Sequence, residues 1–278
     1  MMHLFTESSF ECSKIITEKY STSFSLGIKA FAKKYHYPIY GIYGFVRCAD
    51  EIVDTFHDYD KENLIVEFRE ETLKAVKNRI CLNPVLHSFQ EVVNRYEIET
   101  DLIEAFLDSM AMDLTNANYT DASYRKYIYG SAEVVGLMCL KVFCENDSQL
   151  YLRLKDRAQS LGSAFQKINF LRDIRSDYEE RGRTYFPGID INSFGEVDKQ
   201  KIEEDILKDF DAALAGIREL PVGVRKGVYV AYVYYYELFE KIRNIKAQVV
   251  FKNRIRVSDK RKIWLLAKAL VKNRLNAI

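Results

Sequence analysis

Residues 161–180 read LGSAFQKINFLRDIRSDYEE. Leu161, Ala164, Phe165, Ile168 and Leu171 recur at spacings of three and four, the period of a helix with one face in a core. Gln166, Asn169, Asp173 and Asp177 recur as regularly and share one narrow sector of the same helix. The two aspartates stand one turn apart with no lysine between them. Like charges at that spacing cost roughly 0.2–0.5 kcal/mol in an exposed helix, so the pair alone decides nothing.

The stretch 38–57, PIYGIYGFVRCADEIVDTFH, repeats the arrangement. Tyr43, Arg47, Asp50 and Asp54 fall within a sector of about 60°. Ile42, Phe45, Val46, Ala49, Ile52 and Val53 flank them. Each helix thus carries a polar line ending in two aspartates, set in surface that otherwise reads as core. Other acidic pairs at this spacing (Glu67/Glu71, Glu97/Asp101, Glu104/Asp108, Asp205/Asp209) lie among charges and read as solvated faces. The embedded pairs need a cation, because burial disfavours an uncompensated carboxylate. Lysines and arginines are poorly placed to serve all four, which points to a divalent metal. Oxygen-only ligands suit Mg²⁺, with Mn²⁺ as a substitute, and Mg²⁺ completes its shell with water and phosphate. Two such helices facing across a cavity would clamp a diphosphate and stabilise it as a leaving group.

Helical spacing continues almost everywhere, at 7–19, 23–33, 61–80, 84–96, 100–115, 121–144, 147–180, 198–218, 222–250 and 259–275. Pro38 and Pro84 suit first turns, Asp121 and Ser258 suit N-caps, and Gly182 suits the position after a helix. Only 181–197 reads as extended irregular chain. The expectation is a single all-α domain over 1–278, a bundle of roughly ten helices around a central cavity. The 41 basic and 40 acidic residues nearly cancel, so no global field favours nucleic acid. Five scattered cysteines without a CxxC read as reduced thiols. The N-terminus carries acidic residues and no apolar core of a leader, and the run near 228–239 is too short to span a bilayer. A soluble, cytoplasmic protein is expected.

DEIVD (50–54) and NFLRDIRSDYEERGRTYFP (169–187) resemble the two aspartate-rich motifs of the squalene/phytoene synthase family. YSTSF (20–24), MDL (112–114), YGSAEVVGLM (129–138) and the tyrosines near 234–236 resemble further family segments, in order. MDL and VVGLM lean toward phytoene synthases, while Glu51 stands where many relatives carry a second aspartate. The resemblance implies an isoprenoid synthase fold that joins two prenyl diphosphates head to head through a cyclopropylcarbinyl diphosphate. It implies Mg²⁺ on Asp50, Asp54, Asp173 and Asp177. Diphosphate would meet Arg47, Arg172, Arg183, Arg254 and Lys262, and Gln166 and Asn169 would line the metal end. Ser21, Ser23 and Phe24 would contact substrate, and Tyr43, Tyr129 and Tyr235 would stand near the reacting carbons. Phytoene synthases take geranylgeranyl diphosphate without NADPH, whereas squalene synthases take farnesyl diphosphate and consume NADPH.

Aromatic faces stabilise carbocations in a dry cavity, although most of the 19 tyrosines and 17 phenylalanines belong to ordinary core. Gly130, Ala132 and Gly136 would leave room for a prenyl chain or permit close helix packing. A ferritin-like di-metal bundle competes through Asp54 and His57, but no second such pair exists. A non-catalytic relative acting as a lipid-binding or assembly factor would have lost motif aspartates. The segment 181–187 is expected to be mobile when empty and to close on diphosphate through Arg183. The cationic, amphipathic stretch 258–278 reads first as a terminal core helix and second as a peripheral anchor at the inner membrane face, near a carotenoid desaturase.

Overall fold

The computed structural model describes residues 2–115, 118–252, 254–258, 261, 264 and 265, with the side chains of Thr22, Ser23, Asn192 and Lys252 outside the description. Helices dominate: α1 (Met2–Tyr20), α2 (Thr22–Lys29), α3 (His36–Asp54), α4 (Lys61–Asn78), α5 (Pro84–Tyr96) and α6 (Thr100–Thr115). They are followed by α7 (Asp121–Ile128), α8 (Val134–Cys144), α9 (Ser148–Glu179), α10 (Glu196–Glu219), α11 (Val222–Arg243) and α12 (Ala247–Lys252). Among the described residues no strand forms, and one isolated bridge joins Asn118 to Thr184.

Local chemistry sets the boundaries. Asn83 accepts from the Val85 and Leu86 N–H groups with Pro84 behind it, and Asp147 accepts from Leu150 N–H to start α9. The expected cap at Asp121 is instead Thr120, which exchanges hydrogen bonds with Ser123 in a capping box. Gly182 ends α9 at φ +64°, a conformation glycine adopts without strain. The expected helix 23–33 stops at Lys29, and 222–250 breaks at Asn244, whose N–H still reaches back to Glu240 O.

The helix expected at 121–144 is interrupted by a π-helical turn, Tyr129–Glu133. There Gly130 lies so close to α6 that a Cβ would meet Ala105 O at 2.4 Å. Asp121–Cys144 is long and apolar enough to cross a membrane, contrary to the reading from 228–239. Most of it is buried against α6 and α9, as befits a core helix. Buried apolar side chains from nearly every helix form one connected cluster, and α9 packs along α10 and α8 within it. At the start of the C-terminal stretch Leu265 is buried, Trp264 is exposed and Arg261 pairs with Glu237 at 2.8 Å. Lys262 and residues 266–278 lie outside the described residues.

Candidate active site

The two polar lines meet. Arg181 spans them, 3.6 Å from Asp54 on α3 and 2.7 Å from Asp177 on α9. Arg172 donates to Asp173 at 3.0 and 2.5 Å, and Arg254 reaches Asp173 at 2.8 Å. Arg47 stands 3.8 Å from Asp50, pairs with Glu51 and lies over the Tyr20 ring at 4.4 Å. Every motif aspartate therefore has an arginine within salt-bridge distance, which corrects the expectation that basic residues could not serve all four. Arg47 and Arg172 meet aspartates of their own helices, whereas Arg181 and Arg183 reach Asp54 from the turn after α9.

The arginines do not exhaust the demand. Burial pushes the Asp50 carboxyl up to about 7 and Asp177 up to about 6, against the pull of Arg47 and Arg181. About a third of the Asp50 side chain remains accessible. Nearby, Arg47 Nε and Asn169 Oδ1 are buried with no protein partner. Buried polar atoms are nearly always paired in a finished core, so Arg47 Nε–H can donate to, and Asn169 Oδ1 accept from, a polar ligand. Among the described residues no three carboxylate, histidine or cysteine side chains form a closed cage. The donor set fits a hard cation held by one or two carboxylates together with a substrate's oxygens.

Asp113 on α6 is a residue that sequence reasoning passed over, although it lies inside the MDL segment. It is buried and raised to about 6 by desolvation, against the opposing influence of Arg183. Tyr127 donates to it at 2.6 Å and Tyr185 at 3.2 Å. Arg183 donates to Asp113 O at 2.8 Å and to Asp54 at 3.3 Å, while its own N–H binds Asp177 O at 2.8 Å. Desolvation opposes the Arg183 charge, but the flanking acids and the Tyr185 hydroxyl hold its pKa up. Tyr185 stacks on Phe170 with ring centroids 3.9 Å apart. Through these contacts residues 181–186 lie against α3, α6 and α9.

A cavity of about 240 Å³, far larger than a packing void, begins at Val46 and Gln166, one to two turns before the aspartates, and runs into the bundle. Phe24, Val46, Val135, Leu161 and Phe165 line its near part, and Phe31, Phe143 and Leu154 its far part. Tyr43 stacks on Phe24 at 4.9 Å and Tyr235 on Phe165 at 3.9 Å, so both rings lie against cavity-lining side chains. Burial raises the Tyr43 phenol to about 12 and raises Tyr235 as well, keeping both neutral near pH 7. Gln166 lines the cavity, and Asn169 hydrogen-bonds Tyr235. Ala132 and Gly136 line it too, and a Cβ at Gly136 would meet Ala158 O at 2.9 Å. Ala132 and Gly136 thus border the cavity, while Gly130 and Gly136 allow close helix packing.

Tyr129 is not brought to the aspartates. Its electrostatic neighbours are Glu133, Asp101 and Glu99, and Tyr127 enters the site instead. Residues two apart on a helix point about 200° apart, so choosing the wrong member of YIY (127–129) reverses the face. Ser21 caps α2 by accepting from Phe24 N–H at 3.2 Å, and the Ser23 side chain lies outside the described residues. His57 is exposed and accepts from Lys61, as a helix-end residue should. Asp205 and Asp209 are not a free solvated face, because the buried Lys167 binds both, at 2.5 and 2.8 Å.

An all-α bundle with an acid-and-arginine cluster opening onto a hydrocarbon-lined cavity has the architecture of an isoprenoid synthase. The chain belongs to the squalene/phytoene synthase family, whose pattern it matches over residues 17–261. It is 27% identical to a phytoene synthase of Arthrospira platensis over 96% of this chain and 94% of the relative. A 4,4'-diapophytoene synthase of Staphylococcus haemolyticus is 24% identical over 73% of this chain and 70% of its own length. Among solved structures, a dehydrosqualene synthase superposes with a TM-score of 0.84 at 21% identity, covering 98% of both chains. A squalene synthase of Alicyclobacillus acidocaldarius superposes with a TM-score of 0.73 at 19% identity, over 86% of this chain and 94% of that one.

Proposed function

We propose that this chain condenses two geranylgeranyl diphosphates head to head to give phytoene, with Mg²⁺ and without NADPH, the first committed step of carotenoid biosynthesis. The observation that carries the reading is the junction itself: ionisable groups at one end, a long carbon-lined cavity directly behind them. Asp50, Asp54, Asp173 and Asp177 would hold Mg²⁺, which neutralises the departing diphosphate. Arg172, Arg47, Arg254 and Lys262 bind and orient the diphosphate oxygens with charge-assisted hydrogen bonds. The arginines that now occupy the aspartates are the groups free to turn toward an anion once a cation replaces them. Tyr43 and Tyr235 present neutral hydroxyls and ring faces beside the reacting carbons, and Phe24 and Phe165 extend that surface inward. The apolar walls exclude water, which would otherwise capture a carbocation as an alcohol. The cytoplasmic face of a membrane, beside a desaturase, is the natural place for an enzyme with so insoluble a product.

The test is incubation of the purified protein with Mg²⁺ and labelled geranylgeranyl or farnesyl diphosphate, with and without NADPH. Phytoene from the longer substrate, independent of NADPH and abolished by chelator, is expected. Preference for farnesyl diphosphate would make it a squalene or dehydrosqualene synthase. No hydrocarbon from either would leave a non-catalytic lipid-binding role.

A further inference from the structure

The cavity follows α9 from Gln166 back to Leu154, a path of about 18 Å at 1.5 Å per residue. Because the aspartates lie beyond Gln166, Leu154 marks the end farthest from the chemistry. Ile217 of α10, Leu220 just after it, Phe143 of α8 and Phe31 after α2 close in there. One described lining residue is charged, and it stands at this end: Arg157. A guanidinium beside a hydrocarbon chamber needs a reason.

The Arg157 stem lies flat on the backbone of Gly216. A Cβ added to that glycine would meet Arg157 Cβ at 2.4 Å and Cγ at 3.0 Å. One turn earlier, Arg153 pairs with Glu219 at 3.1 Å. Arg157 has no ion pair or hydrogen bond among the described residues. Arginine can cover apolar surface with its methylenes while its head stays in water. A wall built that way moves cheaply, since displacing it breaks no ion pair. Phe143, Leu154 and Leu220 are buried core, and moving any of them opens a void.

We propose that Arg157 is the adjustable end wall of the hydrocarbon cavity and sets the longest prenyl chain that fits. This rests on the reading of the chain as a prenyl diphosphate synthase and adds what measures the substrate. A tail that reaches Gly216 presses on the Arg157 stem, which swings outward; a shorter tail leaves it in place. Arg157 acts on the tail alone and takes no part in ionisation.

The experiment measures binding, in Mg²⁺, of unreactive thiolo-diphosphate analogues of farnesyl, geranylgeranyl and geranylfarnesyl chains. The full-length wild type is compared with Arg157→Ala, Arg157→Met and Arg157→Trp. Removing the stem should shift relative affinity toward the longest analogue by about tenfold, since each buried methylene adds apolar contact. Arg157→Trp should shift it toward the shortest, and Arg157→Met, which keeps the stem without the charge, should stay within about twofold of wild type. If Arg157→Trp fails to fold, the alanine and methionine variants still decide the matter. Identical length profiles in wild type and Arg157→Ala overturn the inference alone. Failure of every analogue to bind the wild type overturns the proposed function with it.

Discussion

At Asp50 the folded protein holds a proton far longer than the unfolded chain would. Its carboxyl is raised to about 7, so neutral Asp50 contributes stability in acid that is lost as pH climbs through that value. Asp50→Asn never acquires the charge. Without metal, the variant should therefore gain on wild type between pH 5 and 8, by about 1–2 kcal/mol after discounting for the accessible part of the side chain. Thermal melts in chelator at the two pH values measure the gap, and a constant gap would contradict the assignment. Tyr127 and Tyr129 offer a second comparison at this scale. Tyr127→Phe strips Asp113 of its shortest donor and should cost about 1–3 kcal/mol in denaturant unfolding. Tyr129→Phe should cost under about 0.5 kcal/mol, since it binds none of the site carboxylates. The sequence pointed to this region but to the wrong tyrosine. Resemblance locates a segment, while the face presented depends on how the π turn sits against α6.

Elements meet here through backbone contact as much as through side chains. A Cβ at Gly162 would meet Ala132 O at 2.6 Å, where α9 crosses the π turn. Gly162→Ala should lower stability by about 1–3 kcal/mol, whereas Gly195→Ala, with its nearest neighbour at 3.7 Å, should change little. Melting temperatures separate the two outcomes. Within the turn after α9, Arg183 alone reaches three kinds of partner. Arg183→Ala should accelerate hydrogen exchange across 181–187, because donations to Asp113 O, Asp54 and Tyr185 vanish together. Arg183→Lys should not restore protection, since an ammonium lacks the planar fork. Equal protection in all three proteins would mean the segment is held some other way. Helix periodicity made 84–96 and 100–115 legible to the residue, and Asn83 with Pro84 marks the start of the first. It overran at 222–250, where Asn244 and Ile245 end α11 without any glycine or proline to announce it.

For the whole molecule, charge and hydrocarbon are segregated along one axis, and the proposed chemistry requires both ends. Asp173→Asn removes the carboxylate that anchors Arg172 and Arg254. Turnover of prenyl diphosphate should fall by about 10²–10³ or more while the helical fold is retained. Near-normal turnover at ordinary Mg²⁺ would remove Asp173 from the machinery, and circular dichroism would separate that from unfolding. The sequence by itself determined the all-α fold and both aspartate stripes, since amphipathic period and i,i+4 spacing are local and survive without a partner. Only the tertiary structure decided that Arg181 and Arg183 answer Asp54, because they approach from a turn whose path no periodicity encodes. It alone placed Asp113 and Tyr127 beside Arg183, and Arg157 on Gly216 at the far end of the cavity. Those contacts join residues distant in the chain, and their energies depend on burial that exists only once the helices have packed.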